Sequence, residues 1–308
     1  MRLLLALGLF LVGCYWLLPN VFVDPLFKLN RQLSGLTAHQ IEVGDHQVHY
    51  LAGGEGQQVL VLLHGIFADK DHWVEFVRPL RTDFRILIPD LPGFGASSRL
   101  DDASYDYQTQ AERLHAFLQL LEVETFHLAG NSMGGTLAAR YALDHPQRVA
   151  SLALIGGPHG VKTAVASEMQ RRVAQGEIPL IARDQDEFVA LLDLLFVKRP
   201  WWPRPLYKQA ADQAIQRAES NVRLWQQQQQ DPFYLQQHLA ELSMPVFTLW
   251  GEQDRVFDAS GLETLRENLP DGQHELMPQM GHLPMMEAPA AAARRYQAWL
   301  ASLEASQE

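Results

Sequence analysis

The sequence predicts an α/β fold, in which helices cover a mostly parallel sheet that carries an inserted helical segment. Short apolar runs alternate with helical patterns over residues 40–157, as expected of successive strand–helix units. The same alternation returns over residues 241–305. Between them, residues 158–240 show helical patterns and several prolines but no clear strand. We therefore expect one core formed by the two outer segments and a helical cap formed by residues 158–240.

The composition limits the possible partners of the chain. Its 308 residues can bury a large core, and a hydrophobic content of 47% is typical of globular proteins. Lys and Arg number 25 against 36 Asp and Glu, which gives a formal net charge of −11. Binding to nucleic acid requires a basic surface, so we expect no nucleic-acid partner. Cys14 is the single cysteine, which rules out a disulfide framework and a cysteine-based metal site.

The amino-terminal residues predict attachment to a membrane. Residues 3–18 form an uncharged apolar run of 16 residues. As a helix this run would be about 24 Å long, slightly shorter than the ~30 Å hydrocarbon core of a bilayer. We expect residues 1–20 to be a single uncleaved membrane anchor. If the protein is bacterial, we expect this anchor to lie in the inner membrane. The alternatives are a cleaved secretory signal and a lipoprotein signal ending at Cys14. Residues 31–40 resemble a linker to the core.

The elements of the core can be placed in order. Two strands flank a tight turn at Gly44 and Asp45. Six further runs resemble strands: "QVLVLLHG", "RILIPD", "TFHLAG", "VASLALIG", "MPVFTLWG" and "QHELMP". Helical patterns cover Asp71–Leu80, Gln108–Leu121, Ser132–Asp144, Gly261–Asn268 and Pro289–Leu303.

The stretch "LAGNSMGGTLA" contains a Gly-x-Ser-x-Gly motif centred on Ser132. The motif alone is weakly specific. Here, however, it lies between a predicted strand and a predicted helix, where a nucleophile elbow exposes a serine on a sharp turn. The amino-terminal amides of the following helix would face developing negative charge. Ser132 is therefore the candidate nucleophile.

A serine nucleophile needs a base, and the base needs a group that orients it. His282 lies in the loop "PQMGHLPMMEAP" after the last predicted strand, and Asp254 follows the previous strand in "LWGEQDRVFD". The carboxyl ends of parallel strands meet at one edge of a sheet, so Ser132, Asp254 and His282 are expected to converge. Asp258 is a rival for the acidic position, although it could instead cap the next helix.

Acyl transfer also requires hydrogen-bond donors for an oxyanion. The backbone amides of Ile66, at the end of the first buried strand, and of Met133, after the candidate nucleophile, are expected to supply them. His64 could be mistaken for a catalytic base, but its position beside this loop favours a bracing role.

The motifs "HGIFADKDHW", "IPDLPGFGASS", "GNSMGG", "LWGEQDRVFD" and "GHLPMMEAP" resemble the α/β-hydrolase fold, and the resemblance covers residues 40–305. Together with the apolar amino terminus, they resemble membrane-anchored monoacylglycerol lipases and related bacterial lipases. This resemblance implies a membrane-associated serine hydrolase that cleaves carboxylic esters of acylglycerols through an acyl-enzyme intermediate. The expected partners are a lipid ester and the membrane surface, and no cofactor or metal is expected.

Two alternatives remain open. Carbon–carbon bond hydrolases that act on meta-cleavage products have a similar serine motif, but they typically carry Trp where this chain has Leu283. A hydrolase-fold protein without catalytic activity would use the same scaffold for binding. The cap favours a lipid substrate, because it is largely apolar and places Trp201 and Trp202 between prolines.

Overall fold

A computed structural model describes residues 13, 15–230 and 235–305 of the chain. Its eight strands are β1 (Leu36–Val43), β2 (His46–Gly53), β3 (Gln58–Leu63), β4 (Phe84–Pro89), β5 (Phe126–Gly130), β6 (Val149–Ile155), β7 (Val246–Gly251) and β8 (Gln273–Met277). The helices are α1 (Val23–Leu33), α2 (Val74–Val77), α3 (Tyr107–Leu120), α4 (Met133–Asp144), α5 (Glu168–Ala174), α6 (Gln185–Leu195), α7 (Arg204–Gln216), α8 (Ala218–Gln230), α9 (Gly261–Asn268), α10 (Pro284–Glu287) and α11 (Pro289–Ala305). Short 3-10 helices cover Pro19–Phe22, Lys70–Trp73, Pro146–Arg148 and Leu235–Glu241.

The strands form one sheet in the order β1-β2-β4-β3-β5-β6-β7-β8. β1 and β2 pair antiparallel, as do β2 and β4, and the other neighbours are parallel. The predicted turn joins β1 to β2, where Gly44 adopts a φ of 57° that suits a two-residue hairpin. The predicted α/β class with a mostly parallel sheet is confirmed.

The central strands are apolar throughout because the sheet is covered on both faces. Along β3, Leu60 and Leu62 pack into one core cluster while Val61 and Leu63 pack into the other. The cluster that contains Leu60 and Leu62 also includes side chains of α2 and α11. The cluster that contains Val61 and Leu63 includes side chains of α3, α4 and α9. Successive side chains of a strand point to opposite faces, so a run without polar residues signals burial on both sides.

A helical insertion separates β6 from β7. Within it, residues 156–230 and 235–245 are described, and they contain helices α5 to α8 and no strand of the sheet. Capping side chains begin two of these helices: Ser167 accepts a hydrogen bond from Gln170 N, and Asp184 accepts one from Glu187 N. Phe188 and Leu192 of this insertion pack into the same core cluster as Leu60 and Leu62 of β3.

The segment before the sheet differs from its prediction. Residues 31–40 are not a linker: α1 ends at Leu33, and β1 begins at Leu36, so the predicted core boundary at residue 40 falls inside β1. Helix α1 itself was not predicted, although Asp24 followed by Pro25 is a helix-start signal.

Helix α1 is fastened to the core by polar contacts. The Arg31 guanidinium donates two hydrogen bonds of 2.6 Å to the carboxylate of Asp71. Arg78 donates to Asn30 Oδ1 at 2.7 Å and to Ser34 Oγ at 3.2 Å. The helix therefore belongs to the folded unit.

Most of the predicted anchor lies outside the described residues, which include only Gly13 and Tyr15–Leu18 of the apolar run. Among the helices that the structure does describe, none has the length and apolar character needed to cross a bilayer.

Replacing Arg31 with Met should lower the melting temperature by about 5–15 °C. The substitution keeps the apolar stem but leaves the part-buried Asp71 carboxylate without its bidentate partner. We expect this to lower the free energy of unfolding by about 2–4 kcal/mol. Each kcal/mol corresponds to roughly 2–4 °C in the melting temperature of a domain of this size. Arg266→Met is the matched control, because Arg266 pairs with Glu263 on the surface, where such pairs contribute little. Thermal unfolding followed by circular dichroism measures both, and equal shifts would show that α1 is not held by this pair.

Candidate active site

Ser132 occupies a strained turn between β5 and α4. Its φ of 54° and ψ of −119° place it in a region that residues with a side chain rarely adopt, at a cost of order 1–3 kcal/mol. It precedes Met133, the first residue of α4, and its side chain makes no capping hydrogen bond. Ser132 is therefore presented at the carboxyl edge of the sheet with its hydroxyl unused by the helix.

The glycines of the motif permit close packing at this turn. A Cβ on Gly130 would lie 2.2 Å from the carbonyl oxygen of Gly134. A Cβ on Gly134 would lie 2.4 Å from the carbonyl oxygen of His64. Both distances are far below van der Waals contact, so any side chain would push α4 away from β3 and β5.

Asp254, in the loop after β7, is held in place by three donors: two amides of that loop and the indole of a β7 tryptophan. Its Oδ1 accepts hydrogen bonds from the amides of Val256 at 2.8 Å and Phe257 at 3.0 Å. Its Oδ2 accepts one from the indole of Trp250 at 3.1 Å. The side chain is fully buried, and these donors replace the water that an ionised carboxylate would otherwise require.

His282, in the loop after β8, completes this arrangement. Its Nδ1 donates to Asp254 Oδ2 at 2.8 Å, which leaves Nε2 as the unprotonated nitrogen of the neutral ring. The backbone amide of His282 donates to the carbonyl of Leu195, at the end of α6, at 2.9 Å. The histidine is thus positioned from one side by the sheet domain and from the other by the helical insertion.

The rival acid, Asp258, lies elsewhere. Its Oδ1 accepts a hydrogen bond from the Ser260 amide at 2.9 Å, just before α9. The structure therefore brings Asp254, and not Asp258, to His282.

Asn131 was not singled out in the sequence, yet it links three parts of the site. Its Nδ2 donates to the carbonyl of Ile155 at 2.7 Å and to that of His282 at 3.2 Å. Because Asn131 immediately precedes Ser132, it ties the elbow to the histidine loop. Its position inside the Gly-x-Ser-x-Gly motif could have indicated a role in the site. An asparagine in a loop is common, however, so its presence alone does not predict such a role.

His64 has both ring nitrogens engaged. Nδ1 donates to the carbonyl of Gly65 at 2.8 Å, and Nε2 accepts a hydrogen bond from the amide of Leu91 at 3.0 Å. Complete burial lowers the pKa of His64 to about 4, so the ring is neutral at physiological pH. With no free nitrogen, this histidine braces the loop after β3.

The candidate oxyanion donors flank the serine. Ile66 and Ser132 line one cavity, and Ile66, Ser132 and Met133 line an adjoining one. Neither the Ile66 nor the Met133 amide donates a hydrogen bond to another residue in the described part of the chain. Both amides are thus available to an oxygen atom beside Ser132.

A buried ion pair fixes the loop that carries Ile66. The Lys70 ammonium donates to Asp90 Oδ2 at 2.6 Å, and the Lys70 amide donates to Asp90 Oδ1 at 2.7 Å. The amide of Ala96 adds a further hydrogen bond at 2.7 Å. This pair was not predicted, because its partners are 20 residues apart and the folding of the sheet brings them together.

Ser132 and His282 open onto one cavity of about 160 Å³. The helical insertion supplies most of its apolar wall: Leu180, Ala182, Phe188, Leu191, Leu192, Leu195, Phe196 and Trp202. The loop after β3 forms the opposite side with Ile66 and Phe67. Such a cavity suits a substrate with an apolar chain.

Comparison with known proteins identifies the family. The family described as the alpha/beta hydrolase fold matches residues 58–289. Lipase 1 of Psychrobacter immobilis is 28% identical over 306 residues, a match that covers 97% of this chain and 96% of the relative. Monoacylglycerol lipase ABHD6 of Homo sapiens is 30% identical, and the match covers 95% of this chain and 90% of the human protein.

A solved structure described as a membrane phospholipase A, a novel bacterial virulence factor, is also similar. It is 39% identical, with a TM-score of 0.91, and the match covers 98% of this chain and 99% of that structure. The chain belongs to the α/β-hydrolase fold family. With lipases among its nearly full-length relatives, it is a carboxylic ester hydrolase, and both predictions are confirmed.

Replacing Asp254 with Asn should lower kcat by about 10³–10⁴ if this aspartate orients the base. The amide would hold His282 in the wrong tautomer while leaving the fold in place. Asp258→Asn is the control and should change kcat by less than about threefold. Steady-state hydrolysis of p-nitrophenyl octanoate gives both values, and a larger loss in the Asp258 variant would transfer the role to that residue.

Proposed function

We propose that this protein is a membrane-associated serine hydrolase that cleaves acylglycerol esters through an acyl-enzyme intermediate. The observation that carries the proposal is the strained Ser132 turn, which opens onto the same apolar cavity as the His282–Asp254 pair. In this proposal residues 40–157 and 241–305, extended to the start of β1, form the catalytic core, and residues 158–240 form its cap.

The proposed reaction uses side chains and backbone amides of this chain and one water molecule. Ser132 Oγ attacks the ester carbonyl while His282 Nε2 takes the hydroxyl proton, and the amides of Ile66 and Met133 bind the resulting oxyanion. Asp254 stabilises the imidazolium. The protonated His282 then gives its proton to the departing alcohol oxygen as the carbon–oxygen bond breaks. Water, deprotonated by His282, hydrolyses the acyl-enzyme, releases the carboxylic acid and restores Ser132.

The cavity and the relatives support a lipid ester as the substrate. The wall formed by the insertion is apolar, and a hydrocarbon chain gains about 0.8 kcal/mol for each methylene that leaves water. Relatives named a lipase, a monoacylglycerol lipase and a membrane phospholipase A agree with such a substrate.

Exposed apolar side chains support the membrane association. Leu29 and Leu33 of α1 are more than half exposed, and Trp201 of the cap is 84% exposed. All three line one groove between α1 and the cap, and Trp202 and Met286 line both this groove and the catalytic cavity. A contiguous apolar surface marks an interaction site, and tryptophan is favoured at the membrane interface.

The amino-terminal segment joins this surface. The Arg204 guanidinium lies 4.8 Å from the centroid of the Trp16 ring, and the Arg204 amide donates to the Tyr15 hydroxyl at 3.1 Å. We infer that the amino-terminal part of the proposed 1–20 anchor, before Tyr15, enters the bilayer, which would place the groove at the membrane surface.

Ser132→Ala should abolish ester hydrolysis, with a loss of about 10⁴–10⁶ in kcat, and should leave the fold intact. Labelling by a fluorophosphonate, which reacts with an activated serine, should be lost at the same time. Ser260→Ala, which removes a hydroxyl outside the cavity, should retain both activity and labelling. Persistent turnover by folded Ser132→Ala protein would contradict the proposed nucleophile. Absence of labelling in the wild type would instead favour the non-catalytic alternative.

The carbon–carbon hydrolase alternative is tested with two substrates. Leu283, which lines the cavity where related carbon–carbon hydrolases typically carry Trp, favours esters. We therefore expect ready hydrolysis of p-nitrophenyl butyrate and octanoate and negligible cleavage of a 2-hydroxy-6-oxodienoate. A higher kcat/KM for the dienoate would replace the ester assignment.

Removing residues 1–14 should release the protein from membranes and reduce turnover of vesicle-borne monoacylglycerol by about tenfold or more, because anchoring raises the effective concentration of substrate. The cut falls before Tyr15 because Pro19 and Val23 are buried. Turnover of dissolved p-nitrophenyl butyrate should stay within about twofold, and an unrelated apolar helix fused to the truncated protein should restore the vesicle activity. Equal losses on both substrates would indicate a role in folding instead.

A further inference from the structure

Two arginines line the otherwise largely apolar cavity that contains Ser132. Arg99 lies in the loop between β4 and α3, and Arg217 directly follows α7 in the helical insertion. The amides of Asn221 and Gln213 line the same part of the cavity. The proposed ester hydrolysis uses none of these four side chains.

Within residues 15–230 and 235–305, every hydrogen-bond acceptor of the Arg99 guanidinium is neutral. Its Nε donates to the carbonyl of Gly93 at 2.6 Å, and its Nη1 donates to Ser220 Oγ at 2.5 Å and to Asn221 Oδ1 at 3.0 Å. Burial, together with the positive charges of the neighbouring Arg217 and Arg223, lowers the pKa of Arg99 to about 10. The positive charge of this group is thus not neutralised by a carboxylate.

Arg217 is also without an anionic partner. Its guanidinium makes no hydrogen bond or ion pair with any other residue in the described ranges, although the side chain is only partly exposed. Two other cations of the insertion are paired with carboxylates: Arg223 binds Asp101 at 2.8 Å, and Lys208 binds Asp212. Two adjacent unpaired guanidinium groups repel each other, and this arrangement becomes favourable when an anion lies between them.

The other charged groups of the cavity do not supply that anion. Asp69 and His72 line the cavity, but Asp69 forms no ion pair with Arg99 or Arg217 among the described contacts. The Asp69 carboxylate accepts a hydrogen bond from the Asp71 amide at 2.8 Å, and positive charge on His72 and Lys70 lowers its pKa against the effect of burial. Asp69 is thus stabilised by its own loop, at the end of the cavity that opens toward α1.

We infer that Arg99 and Arg217 bind the phosphoryl oxygens of a glycerol ester that carries a phosphate head group, while its acyl chain lies against the apolar wall of the cap. Guanidinium groups match phosphate by forked, charge-assisted hydrogen bonds. The inference rests on the proposed ester hydrolysis and adds a preference at the same site: the enzyme would select phosphorylated monoacylglycerols over neutral ones. Arg99, through Ser220 and Asn221, would also link head-group binding to the position of the cap.

The experiment compares 1-octanoylglycerol with 1-octanoylglycerol 3-phosphate, which share the acyl chain and the scissile ester. The measured quantity is the ratio of kcat/KM for the phosphorylated substrate to kcat/KM for the neutral one. In the wild type we expect this ratio to exceed one. In Arg217→Gln it should fall by about 10–100-fold, because a hydrogen bond to a charged group contributes about 1.5–3 kcal/mol. Arg172→Gln, which removes an equal charge from an arginine paired with Glu177 outside the cavity, should leave the ratio unchanged.

Thermal unfolding checks that each variant is folded, and Arg99→Lys provides a second variant. It keeps the charge but loses the guanidinium hydrogen bonds to Gly93, Ser220 and Asn221 that hold the group in place, so the ratio should fall less than in Arg217→Gln. If Arg217→Gln still hydrolyses the neutral ester and leaves the ratio of kcat/KM values unchanged, the head-group inference is wrong and the proposed ester hydrolysis stands. Loss of hydrolysis of both esters by the wild type would overturn the proposed function.

Inorganic phosphate separates a lipid head group from a free anion. If the inference holds, phosphate should inhibit hydrolysis of the neutral ester only weakly, because it lacks the acyl chain that contributes most of the binding. Strong inhibition that requires Arg217, combined with no preference for the phosphorylated ester, would assign the site to a free anion and contradict the inference.

Discussion

The close approach of α4 to the carboxyl ends of β3 and β5 is the constraint on which the rest of the site depends. Gly130 and Gly134 leave no room for a Cβ, because backbone carbonyl oxygens lie 2.2–2.4 Å from where one would be. This approach forces Ser132 into its left-handed conformation. The turn projects the serine out of the sheet edge and points the first amides of α4 to the same place. Packing of the core therefore supplies the energy that holds the strained residue.

Buried polar groups hold the remaining parts around this turn. Asp254 is fixed by two backbone amides and an indole, so its geometry is set before His282 binds to it. The Lys70–Asp90 pair fixes the loop after β3 in the same manner. In a medium of low polarity, such contacts are strong when every polar atom is paired and costly when one is not. The arrangement is consequently rigid at the positions where the proposed chemistry takes place.

Two of the contacts between the helical insertion and this rigid part lie beside the candidate site. Leu195 accepts the hydrogen bond of the His282 amide, and Arg99 binds Ser220 and Asn221. A shift of the insertion would therefore disturb both His282 and the part of the cavity wall that Arg99 and Arg217 form. The groove beside α1 lies at the boundary between the insertion and the amino-terminal segment, so attachment to a membrane would act on the same elements that shape the cavity.

The sequence by itself determined the α/β class and most of the elements, because burial on both faces of a sheet leaves continuous apolar runs that are visible without a structure. It also placed Ser132, Asp254 and His282 after strands that end at one edge, since the order of strands and helices fixes that edge. The sequence was less informative about individual short segments. The 31–40 segment was assigned to a linker because its polar residues hide a short helix and the start of an edge strand.

Only the tertiary structure decided which groups meet across long separations. It placed Asp254 rather than Asp258 against His282, although both follow β7, because the direction of the carboxylate depends on the turn that Val256 and Phe257 form around it. It also brought Lys70 to Asp90 and placed Arg99 and Arg217 in the wall of one cavity, pairs that no periodicity links. Contacts of this kind depend on how the sheet and the insertion pack in three dimensions, which the spacing of residues along a chain does not encode.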